Sequence, residues 1–282
     1  MGWGIASSIR DPTRLVGIHY FVPAHILKAA EIVYGSHASA KAVATAFAVC
    51  HRTGKTPILV KSCPSFAFNR MNEHVFRQAG KLVEFHGFSP QRVDDAVRRT
   101  FGMPPGPFAL LDIVGLDVLE RIAKEGGVQL SRIHEKLCSL GGYGRKTGRG
   151  YYKYDSAGKR MSDTEVEKFL DEIRSASPAH STSGALDDGA IIEFIFSPFV
   201  NEGLRIVEDG VVERMSDLDL LWLYGGGWPR HTGGPMKWAE AYGWSKILVQ
   251  MENQYHFGGP DSADKPCQLL YQLAEKERRA KL

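Results

Sequence analysis

The stretch Leu15–Val33, LVGIHYFVPAHILKAAEIV, limits what this chain can fold into more than any other. Two apolar, β-prone runs, Leu15–Phe21 and Ile26–Val33, flank Pro23 and carry His19 and Glu31 in largely apolar surroundings. His19 and Glu31 lie six residues either side of His25. If the runs fold back as antiparallel strands with the turn centred there, the two side chains share one face, about 5 Å apart at Cα. A carboxylate at that distance holds one imidazole nitrogen and fixes its tautomer, leaving the other nitrogen free to take a proton. The spacing therefore predicts either a general-base dyad or a buried histidine satisfied by an ion pair, since buried polar groups are paired whatever their purpose.

Length and charge exclude several classes. A chain of 282 residues can bury a full core and more than one domain. With 35 Lys and Arg against 32 Asp and Glu, the net charge of +3 is too small and too evenly spread to predict a nucleic-acid partner. Cys50, Cys63, Cys138 and Cys267 are far apart and form no C-x-x-C pair, so neither a disulfide framework nor a zinc site is expected, and a reducing compartment fits. No apolar run reaches membrane-spanning length, and MGWGIASSIRDPTR lacks the apolar centre of a secretory signal. Its GWGIAS fails as a dinucleotide loop, because such a loop follows a strand and opens a helix.

After the two runs, the Ala-rich SHASAKAVATAFAVCHRTGK predicts a helix over about 38–51, and Thr56–Val60 a short buried strand. Strand, strand, helix, strand is part of an α/β sheet. From Ser65 the pattern turns helical. Phe68, Met71, Val75, Ala79 and Leu82 form one stripe, Ser89-Pro90 opens a second helix, and FALLDIVGLDVLERIAKEG reads as a single helix after the break at Gly102–Pro107. Gly141–Asp155 reads as a glycine-rich loop with an extended end, 163–175 as a helix, and SASPAHSTSGALDDG as a linker. Lys55 and Lys61 flank a strand and read as solvated. Trp222, Trp228, Trp238 and Trp244 are dense enough to mark a core.

The helical plan recurs. Asn72-Glu73 is matched by Asn201-Glu202, Gly106-Pro107 by Gly234-Pro235, and the acidic Val93-Asp94-Asp95 by Asp217-Leu218-Asp219. Matches in the same order predict a duplication, with the two units packed as a pseudo-dimer and the chain monomeric in solution.

Gly17–Pro23, Glu31-Ile32-Val33, Thr53–Pro57 and Phe68-Asn69-Arg70 resemble the second half of the nucleotide-binding domain of 3-hydroxyacyl-CoA dehydrogenases and its junction with their helical domain. Gly144–Tyr152 and Tyr224–Met236 are similar, more narrowly, to the peroxisomal bifunctional members of that family, whose dehydrogenase half carries two tandem helical domains. The resemblance implies a mostly α chain. A partial Rossmann-type nucleotide-binding domain at 1–64 precedes a first helical domain at 65–176, a linker at 177–187 and a second helical domain at 188–282.

It implies NAD-dependent oxidation of L-3-hydroxyacyl-CoA to 3-ketoacyl-CoA in peroxisomal fatty-acid β-oxidation. His19 matches the family's catalytic base, Glu31 its orienting carboxylate, and Asn69 a substrate-contacting residue, while His231, Arg145 and Lys146 fall at structural or peripheral positions. Val22 departs from the Asn or Ser usual beside the reacting group. The family's phosphate loop, ribose-binding acid and Asn-Thr-Ser segment would lie upstream of Met1, with Ser7 and Ser8 following that segment. On this expectation the sequence at hand binds no NAD and turns over nothing alone. The alternative expectation is a non-catalytic helical protein that binds acyl-CoA or a partner. Ala280-Lys281-Leu282 is a conservative variant of a C-terminal peroxisomal address read by an import receptor.

Overall fold

A computed structural model describes residues 5–126, 130–176, 186–258 and 265–281. Most of the expected linker and Leu282 lie outside the described residues. The chain is mostly helical with a small sheet, and it divides into two compact units, Met1–Glu73 with Phe196–Leu282, and His74–Ile195.

In the first unit, strands β1 (Gly17–Tyr20), β2 (Ala29–Tyr34) and β3 (Thr56–Lys61) form a sheet in that order. β1 and β2 are antiparallel, with His19 directly opposite Glu31, the register expected from the sequence. β2 and β3 are parallel and joined through helix α1 (Ala40–Arg52), whose start is capped by Ser39. Because side chains alternate along a strand, β2 serves two faces. Ala30 and Ile32 pack with Ala46 and Cys50 of α1. Ala29, Glu31 and Val33 point the other way and are also buried.

That second face is covered by the first turns of α2 (Phe66–Phe85) and by helix α9 (Met215–Tyr224). The end of α9 and the β1–β2 loop are joined where the Lys28 amide donates to the Tyr224 carbonyl, 3.0 Å. Aromatic rings fill the space beneath. Phe68 stacks on Trp222 (4.3 Å between centroids), Trp222 meets Phe199 edge to face, and Phe199 stacks on Trp228. Trp222, Trp228 and Trp244 are buried as expected, whereas Trp238 is half-buried. Helices α10 (Pro235–Tyr242), α11 (Trp244–Gly258) and α12 (Gln268–Ala280) complete this unit.

In the second unit the stripe on α2 buries Val75, Ala79 and Leu82. Ser89 caps α3 (Pro90–Asp95) by accepting from the Arg92 amide, and a wider π turn carries the chain to Phe101. The long helix expected after Gly102–Pro107 is instead two, α4 (Pro107–Val114) and α5 (Leu116–Gly126). Gly115 separates them at φ 100° and ψ 123°, a backbone that an L side chain rarely adopts. An apolar stripe continuing through the break hid it from the periodicity. Helices α6 (Arg132–Ser139) and α7 (Thr164–Ser175) flank a two-stranded hairpin, β4 (Tyr152–Tyr154) and β5 (Arg160–Ser162), of which the sequence predicts only the extended first half. Helix α8 (Asp188–Glu208) leads back to the first unit.

The glycine-rich stretch before β4 is shaped by a carboxylate. Asp112 is 1 % exposed and accepts from the Tyr151 and Tyr152 amides at 2.9 and 3.0 Å and from the Tyr154 hydroxyl at 2.9 Å. A Cβ on Gly150 would stand 2.1 Å from Asp112 Oδ1, and one on Gly144 2.4 Å from the Asp112 carbonyl. Asp94 is buried beside it, taking the Phe108 and Ala109 amides at the start of α4, the Tyr152 hydroxyl and Arg160. Burial pushes the Asp94 carboxyl up to about 6 and that of Asp112 up to about 7, against the hydrogen bonds that favour the charged forms.

The same plan recurs in the first unit. Asp219 Oδ1 accepts the Met236 and Lys237 amides, which open α10 as Phe108 and Ala109 open α4. Gly243 then breaks α10 from α11 at φ 115° and ψ 118°, close to the values at Gly115.

Candidate functional site

β1 presents His19 toward β2, where its register partner Glu31 is fully buried. His19 Nδ1 lies 2.6 Å from Glu31 Oε2, and the imidazole side chain keeps 30 % of its surface exposed. An ionised carboxylate only accepts, so the bond puts the proton on Nδ1 and leaves Nε2 as the acceptor.

Glu31 is held from the other side as well. Its Oε1 accepts the backbone N–H groups of Ala67 and Phe68, both at 3.0 Å. These are orphan amides of the first turn of α2, so the carboxylate caps that helix from a neighbouring strand and sits at the positive end of its dipole. The helix starts sharply enough to aim them because Ser65 and Phe66 are both left-handed, at φ 60° and 56°. The turn also sets the Phe66 ring 5.8 Å from the imidazole, with Phe21 5.1 Å away on another side.

Asn69 lies exposed in the same first turn of α2. The structure thus brings His19 and Glu31 into contact and places Asn69 on the helix start that anchors them. Sequence reasoning missed the Ala67 and Phe68 amides; the signal available was a helix beginning just after a strand parallel to β2. It also misread Lys55. Rather than being solvated, its ammonium donates to the Ala24 carbonyl and, at 2.6 Å, to the Leu27 carbonyl, tying down the loop between β1 and β2. Lys146 is paired with Asp117, and His231 is exposed in a short turn of the first unit.

Among the described residues no group of three or more His, Cys, Asp or Glu could hold a metal ion, and no helix is long and apolar enough to cross a membrane. The turns that follow β2 and β3, Gly35–Ser39 and Ser62–Ser65, contain one glycine between them. Neither is the glycine-rich turn into a helix that cradles a dinucleotide pyrophosphate. The arrangement can accept a proton at Nε2 from a hydroxyl and stabilise the resulting imidazolium through Glu31.

Residues 4–63 match the NAD binding domain of 3-hydroxyacyl-CoA dehydrogenase, and residues 66–154 match its C-terminal domain. The chain is 35 % identical over 94 % of its length to the peroxisomal bifunctional enzyme of Danio rerio and 34 % identical over 96 % to a glyoxysomal fatty acid beta-oxidation multifunctional protein of Brassica napus. It spans 39 % and 38 % of those relatives' lengths. The dehydrogenase part of multifunctional enzyme 1 from C. elegans superposes with a TM-score of 0.73 at 38 % identity, covering 95 % of this chain and 61 % of that one. The two matched domains follow one another in the order and with the junction at which Glu31 meets α2, and the chain belongs to the 3-hydroxyacyl-CoA dehydrogenase family.

Proposed function

We propose that this chain provides the proton-transfer site for oxidation of an L-3-hydroxyacyl-CoA to the 3-ketoacyl-CoA in peroxisomal fatty-acid β-oxidation. The observation that carries the reading is the 2.6 Å contact of His19 with a carboxylate whose second oxygen is locked by two helix amides. NAD, the cofactor of the matched domain, supplies the hydride acceptor when bound. The turns after β2 and β3 are not the glycine-rich turn that cradles its pyrophosphate, and the steps assigned to this chain are proton transfer and positioning. His19 Nε2 takes the hydroxyl proton as the C3–O bond becomes a carbonyl. Glu31 keeps the ring in the Nδ1–H tautomer and balances the imidazolium charge. Asn69 contacts the substrate from the first turn of α2, a role supported by its exposure there.

The test is His19→Gln in this chain joined to a segment that carries a glycine-rich dinucleotide loop, assayed with NAD and a short-chain L-3-hydroxyacyl-CoA. A fall in kcat of about 10²–10⁴-fold is expected; near-normal turnover would remove the reading. Asn69→Ala should lower kcat/KM while leaving the thermal midpoint in place, and an unchanged kcat/KM would return Asn69 to the solvated helix surface.

The tandem organisation belongs to the same proposal: 1–64 as part of a nucleotide-binding domain, then helical units at 65–176 and 188–282, monomeric in solution. It is supported by the equivalent aspartates, Asp94 and Asp219, each capping a helix that begins Gly-Pro, and by the equivalent breaks at Gly115 and Gly243. Sedimentation at the monomer mass is the expected result, and an obligate dimer would overturn it. Peroxisomal location through Ala280-Lys281-Leu282 is supported by the peroxisomal and glyoxysomal names of the relatives. A fluorescent reporter ending in these residues should enter peroxisomes, and a diffuse reporter would refute the assignment.

A further inference from the structure

The geometry points to Trp222 and Gly225, at the end of α9, as positioning residues for the His19–Glu31 pair; the inference rests on the reading of His19 as the base. Neither residue is near the pair in sequence, and neither belongs to the matched domains, which end at residue 154.

Three contacts connect α9 to the pair. Trp222, 1 % exposed, stacks on Phe68 at 4.3 Å and 23°, and Phe68 gives Glu31 one of its two amide hydrogen bonds. Phe68 in turn meets Phe21 edge to face at 4.6 Å, and Phe21 lies 5.1 Å from the His19 ring. Past the helix end, a Cβ on Gly225 would stand 2.8 Å from the Leu221 carbonyl of α9 and 3.1 Å from both Phe21 Cδ1 and the Ala29 side chain. The third contact is the Lys28 amide on the Tyr224 carbonyl, which pins the loop between His19 and Glu31. The α9 end thus bears on the ring beside the imidazole, on the residue that anchors the carboxylate, and on the loop joining the two strands. A densely packed interior transmits such displacements rather than absorbing them.

Trp222 contributes its ring rather than its N–H. The indole Nε1 is buried and, among the described residues, meets no hydrogen-bond acceptor, so phenylalanine keeps the stacking face and gives up no hydrogen bond seen there. Gly225 is needed for space, since its φ of −119° and ψ of −34° suit any residue. Gly225→Ala therefore strains the last turn of α9 at the Leu221 carbonyl and pushes on Phe21 and Ala29, without touching a reacting group.

The experiment compares Trp222→Leu, Trp222→Phe and Gly225→Ala in the same loop-bearing polypeptide by two readouts. The first is steady-state kinetics. Trp222→Leu and Gly225→Ala should lower kcat by ~10- to ~10²-fold with little change in KM for the acyl-CoA, as misplacement of a catalytic group does. Trp222→Phe should restore most of kcat. The second readout is the NMR signal of the His19 Nδ1 proton, assigned by its loss in His19→Gln. It should weaken in Trp222→Leu and Gly225→Ala and persist in Trp222→Phe. Unchanged kcat and an unchanged signal in folded Trp222→Leu and Gly225→Ala would overturn the inference. So would kcat, KM and thermal midpoint falling together with no rescue by phenylalanine. If Trp222→Leu does not fold, Gly225→Ala carries the test. Near-normal turnover of His19→Gln would instead overturn the catalytic reading, while the NMR signal still reports whether α9 positions the pair.

Discussion

Glu31 meets His19 with one carboxylate oxygen, at 2.6 Å, and gives the other to the backbone of a helix that begins 35 residues later at Phe66. Glu31→Gln should therefore damage two things. An amide in its place turns a donor toward either the imidazole or the two helix N–H groups. The expected loss is about 1–3 kcal/mol of unfolding free energy, together with a fall in kcat smaller than that of His19→Gln. Urea unfolding beside steady-state assay checks both, and a stability equal to the parent protein would show that the amides of Ala67 and Phe68 do not depend on the carboxylate.

Ser65 holds a left-handed backbone, and its hydroxyl donates to Glu73 at 2.6 Å. Ser65→Gly should be tolerated, because glycine adopts this conformation freely. Ser65→Val should cost about 1–3 kcal/mol and lower kcat, since a β-branched side chain resists φ near 60° and relaxing the turn re-aims the amides on Glu31. Equal thermal midpoints for the two variants would contradict the account of how α2 is started.

The aspartates that cap α4 and α10 should differ in what their loss costs. Asp219→Ala removes a cap on two amides and should destabilise by about 1–2 kcal/mol. Asp94→Ala also strands the buried Tyr152 hydroxyl and leaves Arg160 unpaired, so about 3–5 kcal/mol is expected. Chemical unfolding of the two variants gives the comparison directly, and a larger loss for Asp219→Ala would reverse it.

Asp112 makes stability depend on pH. Burial raises its folded-state value to about 7 from the ordinary 3.8 of an exposed aspartate, so between those pH values the folded chain holds a proton that the unfolded chain has released. Stability from this group is therefore present at the acid end and lost as pH rises toward and through 7. A thermal midpoint falling between pH 5 and pH 8 is expected, with a shallower fall in Asp112→Asn. A midpoint that rises over this interval, or an identical slope in the variant, would contradict it.

Much of the site was legible in the sequence. Two β-prone runs about a proline force one register, and period-2 alternation then puts His19 and Glu31 on a shared face whatever else the chain does. The stripe on α2, the Ser89 cap and the recurrence of Gly-Pro after an acidic turn were legible for the same reason, being local steric or hydrogen-bonding rules written in neighbouring residues.

What the sequence could not show depends on packing between distant segments. The apolar stripe of FALLDIVGLDVLERIAKEG runs unbroken through Gly115, and only the folded backbone reveals that glycine's left-handed turn. The loop 141–150 carries its glycines because Asp112 needs the room, a relation between segments about thirty residues apart. Lys55 looked solvated until the β1–β2 loop placed two carbonyls around its ammonium. The sequence alone determined which two side chains would face each other. Tertiary structure decided what holds them there: the first-turn amides of α2, given by Ala67 and by Phe68, whose ring stacks on Trp222 some 190 residues further along. Strand register is set by chain-local geometry, whereas the partners of a buried carboxylate are set by whichever helix end the fold delivers to it.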